Sequence, residues 1–326
     1  MKATARAHPI EGLVKYHGMR DEELRLPYHD SISLCTAPSN TTTTVEFDDT
    51  RDADRYVIDG EEIDGRAAER VRHVVDYVRE LADIDTRVRF RSENSFPTNV
   101  GFGSSASGFA AAGMALSEAA GLDLTLPEVS TIARRGSCSA ARAVTGGFSH
   151  LRAGCNDDDC RSEVVASPDA FDEDLRIIGA LVPSYKETEH AHEEAAASHM
   201  FDARMAHVHG QIAKMRDALQ DGNFHRTFEL AEQDTLSLTA TTMTGPSGWV
   251  YWQPETIKVF NTVRELRTDE EIPVYFSADT GASVYVNTTA EYVDRVEEAI
   301  SDCGVETRRW ELGGPAHLLD EDNALF

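Results

Sequence analysis

Lys15 is the first residue whose setting invites chemistry. It stands in Leu13-Val-Lys15-Tyr16-His-Gly18-Met19-Arg20-Asp21, behind two apolar residues. An ammonium is costly to bury unless it meets an anion, so the position suits either a snorkelling surface lysine or one that faces a bound anion. A second place is Pro97-Thr-Asn-Val-Gly101-Phe-Gly103-Ser104-Ser105-Ala106. Gly101 and Gly103 let the backbone come close to a ligand. Ser104 and Ser105 add hydroxyl donors, and a helix start presents unpaired N–H groups to an anion. No Gly-Lys-Ser/Thr follows, which sets the loop apart from the Walker type, and a helix cap or a close-packed turn would use the same residue types. In Arg135-Gly136-Ser137-Cys-Ser139-Ala-Ala-Arg142, followed by Gly146-Gly147, two hydroxyls and a guanidinium lie among small residues. Such a guanidinium grips a carboxylate or phosphate through two parallel donors. Ala278-Asp279-Thr280-Gly281-Ala282-Ser283 places a carboxylate at a strand end, where an aspartate otherwise bonds its own backbone.

Taken as whole strings, these segments resemble one family. Ser92-Glu-Asn94-Ser-Phe-Pro97-Thr, continuing to Gly101-Phe-Gly-Ser-Ser105-Ala, is similar to the phosphate loop of the GHMP kinase superfamily in its diphosphomevalonate decarboxylase branch. The Lys15 segment, with Leu26-Pro27 and Ser31-Ile32-Ser33, resembles the family's Ile-Lys-Tyr-Trp-Gly-Lys-Arg-Asp, Leu-Pro and Ser-Ile-Ser opening. The Arg142 segment resembles its Gly-Ser-Gly-Ser-Ala-Cys-Arg, and Asp279 stands where it has Asp-Ala-Gly-Pro-Asn. The likeness reaches Gly313-Gly314-Pro315 but is patchy after residue 150. Thr280, Ala282 and Ser283 depart from the pattern, and Ile10-Glu11 stands where the family strand carries an asparagine.

The resemblance implies an α+β, two-domain GHMP kinase fold, with a ribosomal protein S5-like N-terminal domain and a ferredoxin-like C-terminal domain. We place these domains at 1–174 and 175–326, with the site in the cleft between them. It implies ATP and Mg2+ as cofactors and a mevalonate phosphate as substrate, and it leaves a homodimer open. Asp279 would orient or deprotonate a tertiary C3 hydroxyl, or stabilise positive charge at C3, while Lys15 holds it in register. Arg142 would fix the departing carboxylate, and Tyr16, Ser137 and Ser139 would touch the substrate. Asn94, Gly101, Gly103, Ser104, Ser105 and Ser184 would meet the nucleotide. Family members acting on the 5-diphosphate carry a second lysine and an arginine where this chain has Met19 and Tyr185. Lys186 beside the latter could partly substitute, yet fewer cations favour the 5-monophosphate, whose product would be isopentenyl phosphate. A kinase that phosphorylates without decarboxylating would not need Lys15, Asp279 and Arg142 together, and a ligand-binding protein without turnover is the remaining class.

The elements that must position these groups are legible in outline. TARAH, LVKYHG, SISLCT and TTTTVEF read as extended segments within residues 4–47. A hairpin is expected at Asp59-Gly60, and Val71, Val74, Val75, Val78 and Leu81 mark a helix over Arg66–Leu81. Strand RVRFRSE runs into the Gly/Ser loop, a small-residue helix follows over Ser105–Ala120, and another begins over Pro127–Arg134. The second half opens with strand RIIGALVP and a His/Glu-rich loop. Helices over Ala195–Leu219 and through Leu230 follow, and the chain ends as strands IPVYFSAD and SVYVNTT, helix Glu291–Cys303 and strand VETRRWEL.

Composition limits the partners. The 326 residues carry 57 acidic and 31 basic side chains, net −26, and only five lysines: Lys2, Lys15, Lys186, Lys214 and Lys258. Such charge repels itself in dilute salt, and molar salt screens it, so the chain reads as a halophile's protein. Nucleic acid and anionic membranes are poor partners for this surface. No apolar run approaches the roughly 18–20 residues of a membrane span, and MKATARAHPI has no apolar signal core. A cytoplasmic location is the resulting expectation. Five cysteines without a CxxC pair read as reduced, although Cys155 and Cys160 could clip their acidic loop or join Cys138 at a metal. The pairs His190/His192 and His207/His209 diverge on a helix, which argues against zinc and for no metal ligands of the protein's own.

Overall fold

Runs of β-branched residues build most of the strands, and the structure, a computed structural model, describes residues 1–96, 102, 104–183 and 192–326. In chain order the strands of the first half are β1 (Lys2–Ala7), β2 (Ile10–Val14), β3 (Met19–Asp21), β4 (Leu26–Pro27), β5 (Ser31–Ala37), β6 (Thr41–Asp48), β7 (Arg55–Ile58), β8 (Glu61–Glu62), β9 (Arg87–Asn94), β10 (Phe148–Leu151) and β11 (Ser162–Val164). Those of the second are β12 (Leu175–Leu181), β13 (Tyr275–Ser277), β14 (Val284–Thr289), β15 (Glu306–Leu312) and β16 (His317–Leu319). The described α-helices are α1 (Gly65–Ala82), α2 (Ser104–Ala119), α3 (Leu126–Gly136), α4 (Ala140–Thr145), α5 (Asp169–Asp174), α6 (Phe201–Gln220), α7 (Phe224–Met243), α8 (Pro254–Asp269) and α9 (Val293–Ser301).

One sheet has the order β16-β1-β6-β9-β7-β8. Its centre is the threonine run of β6, antiparallel to β1 on one side and to β9 on the other. α2 packs across β1 and β6. Its glycine and alanine content is what permits close contact, since a methyl on Gly113 would lie 3.2 Å from the Ala133 side chain of α3. The second sheet runs β11-β10-β5-β15-β12-β14-β13, with β2 also on β5. The pairing of Thr36 with Leu312 and Ala37 with Glu311 joins first-half and second-half strands in this sheet. Apolar residues fill both faces of β12: Ile177 joins the core under α6 and α7, and Ile178 the core under α8 and α9. That is why RIIGALV is a continuous apolar run and not an alternating one.

Most expected elements over residues 1–134 form with boundaries shifted by one or two residues, including the 59–60 hairpin and the α1 and α2 helices, but LVKYHG does not: β2 ends at Val14, and residues 15–18 follow it outside the strand. Five further differences matter. Residues 140–145 form α4 where small polar residues suggested no element. The Ala195–Leu219 helix splits into a 3-10 turn at Ala195–Ala197 and α6. α7 runs thirteen residues past Leu230, to Met243, and α8 was not anticipated. Strand IPVYFSAD is only three residues long as β13, which frees Asp279 to sit in the following loop. Cys155 is exposed, and the other four cysteines are buried and unpaired. Among the described residues no helix is long and apolar enough to cross a membrane.

Candidate active site

Lys15 leaves the end of β2 and is almost fully buried. Its backbone N–H donates to Asp234 Oδ2 at 2.8 Å, and its Nζ donates to Ser277 Oγ at 3.0 Å and Thr235 Oγ1 at 3.2 Å. The Asp234 carboxylate lies 3.9 Å from Nζ and is clamped at 3.1 Å by Arg204 of α6. Burial pulls the lysine below its ordinary pKa, and Asp234, Asp279 and Glu11 push it back up. The ammonium is therefore kept inside the protein by surrounding carboxylates.

Asp279, half-buried after β13, faces the same space. Gly12 makes this possible. A methyl there would stand 2.7 Å from Lys15 Cγ and 2.8 Å from Asp279 Oδ1, so the two side chains share the volume that a larger residue on β2 would take. Glycine inside a strand marks such an approach, and that is the sign by which Gly12 could have been found in the sequence. Gly12→Ala is expected to keep the fold and lower turnover by about 10- to 100-fold, the range for reacting groups displaced by about 1 Å. Unchanged kcat together with an unchanged circular dichroism spectrum would refute this account of Gly12.

Next to Lys15, the buried Tyr16 ring stacks on His192 with centroids 4.6 Å apart and planes 11° from parallel. Burial raises its phenol well above the usual value, while Ser139 hydrogen-bonds it. The Arg142 guanidinium lies 5.5 Å from the same ring. Arg142 is fully enclosed, and its Nε donates to Ser33 Oγ at 3.0 Å while Nη1 donates to Ser31 Oγ. Among the described residues Nη2 makes no hydrogen bond. The Ser-Ile-Ser run of β5 thus aims the guanidinium, since residues two apart on a strand share a face. Ser137 caps the end of α3, and its Oγ lies 3.4 Å from Ser105 Oγ in the first turn of α2. Asn94, at the end of β9, is held by Asp59 through both its backbone and its amide, and accepts from Thr41 Oγ1 at 2.7 Å. Thr41 in turn meets Ser107 Oγ at 2.6 Å, and Ser107 bonds the Ser104 carbonyl. Phe102 packs edge-on between Tyr285 and Trp310 of the second half.

Hence Lys15, Asp279, Tyr16, Arg142, Ser137, Ser139 and Ser105 form one continuous wall, with Ser104 and Asn94 at its edge. Gly101, Gly103 and Ser184 lie outside the described residues. Asp234, Arg204, Thr235 and Ser277 belong to the wall's support and were not singled out from the sequence, and His192, which the sequence weighed only against zinc, joins them. Among the described residues no group of three His, Cys, Asp or Glu side chains could hold a metal.

A family profile for the diphosphomevalonate decarboxylase-like N-terminal domain matches residues 7–162. The phosphomevalonate decarboxylase of Haloferax volcanii is 72% identical over 326 residues, covering 100% of both chains. Among solved structures, mevalonate diphosphate decarboxylase from Staphylococcus aureus superposes with a TM-score of 0.92 at 27% identity, over 98% of each chain. A structure of MDDEF in complex with MVAPP, AMPPCP and magnesium superposes with a TM-score of 0.92 at 27% identity, covering 98% of this chain and 99% of that one.

Proposed function

Since the chain belongs to the phosphomevalonate and diphosphomevalonate decarboxylase family, we propose that it converts mevalonate 5-phosphate and ATP into isopentenyl phosphate, ADP, phosphate and CO2. The observation that carries this reading is the full-length 72% identity to a phosphomevalonate decarboxylase. The wall of buried cations and hydroxyls supports it: Arg142 is aimed by two serines, and Lys15 is kept within a carboxylate cluster beside Asp279.

In this reading the γ-phosphoryl group of ATP passes to the tertiary C3 hydroxyl. The C3–O bond then breaks with loss of phosphate, and the carboxylate leaves as CO2 to form the alkene. Asp279 orients the hydroxyl and takes up its proton or balances positive charge at C3. Lys15 holds that carboxylate in register. Arg142 offers Nη2 to the substrate carboxylate, which stays fixed until its C–C bond breaks. Tyr16, Ser137 and Ser139 line the substrate side. Phosphoryl transfer relies mainly on positioning and charge neutralisation, and a wall with few reactive side chains suits it.

The first turn of α2 fits a polyphosphate, because Ser104 and the exposed Ser105 add hydroxyls to its unpaired N–H groups. Magnesium, a hard cation that keeps oxygen ligands, would be held there by nucleotide oxygens with Ser104 and Ser105 and would neutralise phosphate charge. Asn94, Gly101, Gly103 and Ser184 complete our assignment of the nucleotide side. We also divide the chain at 174/175 into a nucleotide-binding and a partner domain.

Met19 supports the monophosphate. It packs against the cluster that contains Tyr16 and Leu26, at the position where the family resemblance implies a second lysine for a diphosphate substrate. A charged hydrogen bond is worth about 1.5–3 kcal/mol, so a second phosphate would go poorly paired here. CO2 release from the 5-phosphate and the 5-diphosphate, each with ATP and magnesium in molar KCl, is expected to be at least about tenfold faster for the monophosphate. Met19→Lys with Tyr185→Arg should move preference toward the diphosphate. Equal or faster release from the diphosphate in the unaltered protein would overturn the monophosphate assignment.

A further inference from the structure

A second carboxyl stands behind the reacting groups. Glu11 lies on β2, four residues before Lys15, and no part of it reaches the surface. Its Oε1 accepts from Asn287 Nδ2 of β14 at 2.8 Å, and its Oε2 has no hydrogen-bond partner among the described residues. Asp279 and Lys15 face it across Gly12, Ser277 of β13 approaches it, and the Tyr285 phenol of β14 lies in its field. Beyond Lys15 stand Asp234 of α7 and Arg204 of α6.

The charges of this cluster close without Glu11. Lys15 and Arg204 supply two positive charges, and Asp234 and Asp279 supply two negative ones. Arg142 falls outside the sum, because it is not among the groups that act on Glu11, which are Lys15, Asp279, Asn287 and Ser277. The Lys15 ammonium gives its hydrogen bonds to Thr235 and Ser277 and its ion contact to Asp234, none of them to Glu11. An ionised Glu11 would therefore be a buried charge with only neutral donors, the Asn287 amide and the nearby Ser277 hydroxyl, an arrangement proteins avoid by keeping the proton.

We propose that Glu11 is a positioning residue of this reaction, held as the uncharged carboxylic acid so that Lys15 and Asp279 form the balanced pair of the site. The inference rests on the roles given above to Lys15 and Asp279. Burial and the neighbouring Asp279 act in the direction it requires, carrying the Glu11 carboxyl up to about 8, while Asn287, Lys15 and Ser277 pull partly the other way. Below that pH the cluster is neutral. Above it the cluster gains one negative charge behind the place where an anionic substrate must bind, and Asp279 meets a like charge.

Glu11→Gln copies the shape of the neutral acid and tests this. At pH 7 its kcat and KM should stay within about threefold of the unaltered protein. The unaltered protein should show a fall in kcat/KM as pH rises through about 8, and in Glu11→Gln that fall should disappear or move upward. In protein labelled with 13C at glutamate carboxyls, one resonance absent from Glu11→Gln should titrate near pH 8. Should Glu11→Gln fail to fold, Asn287→Ala identifies the same resonance, because removing the amide donor raises its midpoint further. A Glu11 resonance titrating below about pH 6, toward the ordinary carboxyl range, would overturn the proposal. So would an unchanged alkaline limb in Glu11→Gln, or a loss of tenfold or more at pH 7. The carboxyl titration is read without substrate, so it stands or falls apart from the assignment of the reaction.

Discussion

Asp279→Asn should lower turnover by at least about 10²-fold, in the range for a lost acid/base group, while nucleotide affinity changes little. The amide keeps the volume above Gly12, where Asp279 Oδ1 and Lys15 Cγ already crowd the position a methyl would take. What it removes is the negative charge. Lys15 then loses one of the two carboxylates, Asp234 and Asp279, that chiefly oppose the effect of its burial, so its ammonium becomes less stable as well. Two effects follow from one substitution: the hydroxyl loses its partner, and the Lys15 ammonium loses a carboxylate that opposes the effect of burial. Asn94, Ser104 and Ser105 are held at the edge of the wall by Asp59, Thr41, Ser107 and Ser137, which is why binding of a non-hydrolysable ATP analogue should persist. Turnover of Asp279→Asn within threefold of the unaltered protein would take Asp279 out of the reaction.

The residues proposed to react were easier to read in the sequence than their support. Lys15, Arg142 and Asp279 each suit a structural role when taken alone, but their whole strings resemble one family, and the fold brings all three to one wall. Their second layer was hidden for a physical reason. Asp234 and Thr235 lie in α7, whose TLSLTATTM end is rich in β-branched residues of lower helix propensity. The run is helical because tertiary packing holds it, and its threonine hydroxyls turn back to carbonyls four residues earlier, as Thr235 does to Ala231 and Thr242 to Leu238. Arg204 looks like one more charged residue on an amphipathic helix, and only the fold shows it buried against Asp234. α8 was legible and missed: Pro254 stands at its start, Gln253 and Thr256 form its capping box, and Val259, Phe260, Val263 and Leu266 keep helical spacing. Glu11 read as a departure from a family strand. Its burial and its proximity to Asp279 depend on β2 lying beside β13, which no local pattern encodes.

Dilution from molar KCl to about 0.1 M is expected to unfold the protein, with loss of most of the helical circular dichroism signal. The Debye length grows from about 3 Å to about 10 Å over that range, so neighbouring surface acids that ignore one another in molar salt begin to repel. The excess is large: 57 acidic against 31 basic side chains, net −26. Salt also acts in the opposite sense. Exposed pairs such as Arg295 with Glu270 and Arg226 with Glu229 strengthen on dilution. Each such pair is worth only about 0–1 kcal/mol, and arginines already engaged in pairs cannot neutralise the unpaired acids that make up the excess. The inner cluster of Lys15, Asp234 and Arg204 is buried and nearly indifferent to ionic strength, so activity should fail with the fold and not before it. The loss should be cooperative and should be reversed when KCl is restored before aggregation sets in. A spectrum unchanged down to about 0.1 M would contradict the dependence on salt. Activity lost while the spectrum persists would place the sensitivity in substrate binding, where weaker screening lets the net negative surface repel an anionic substrate.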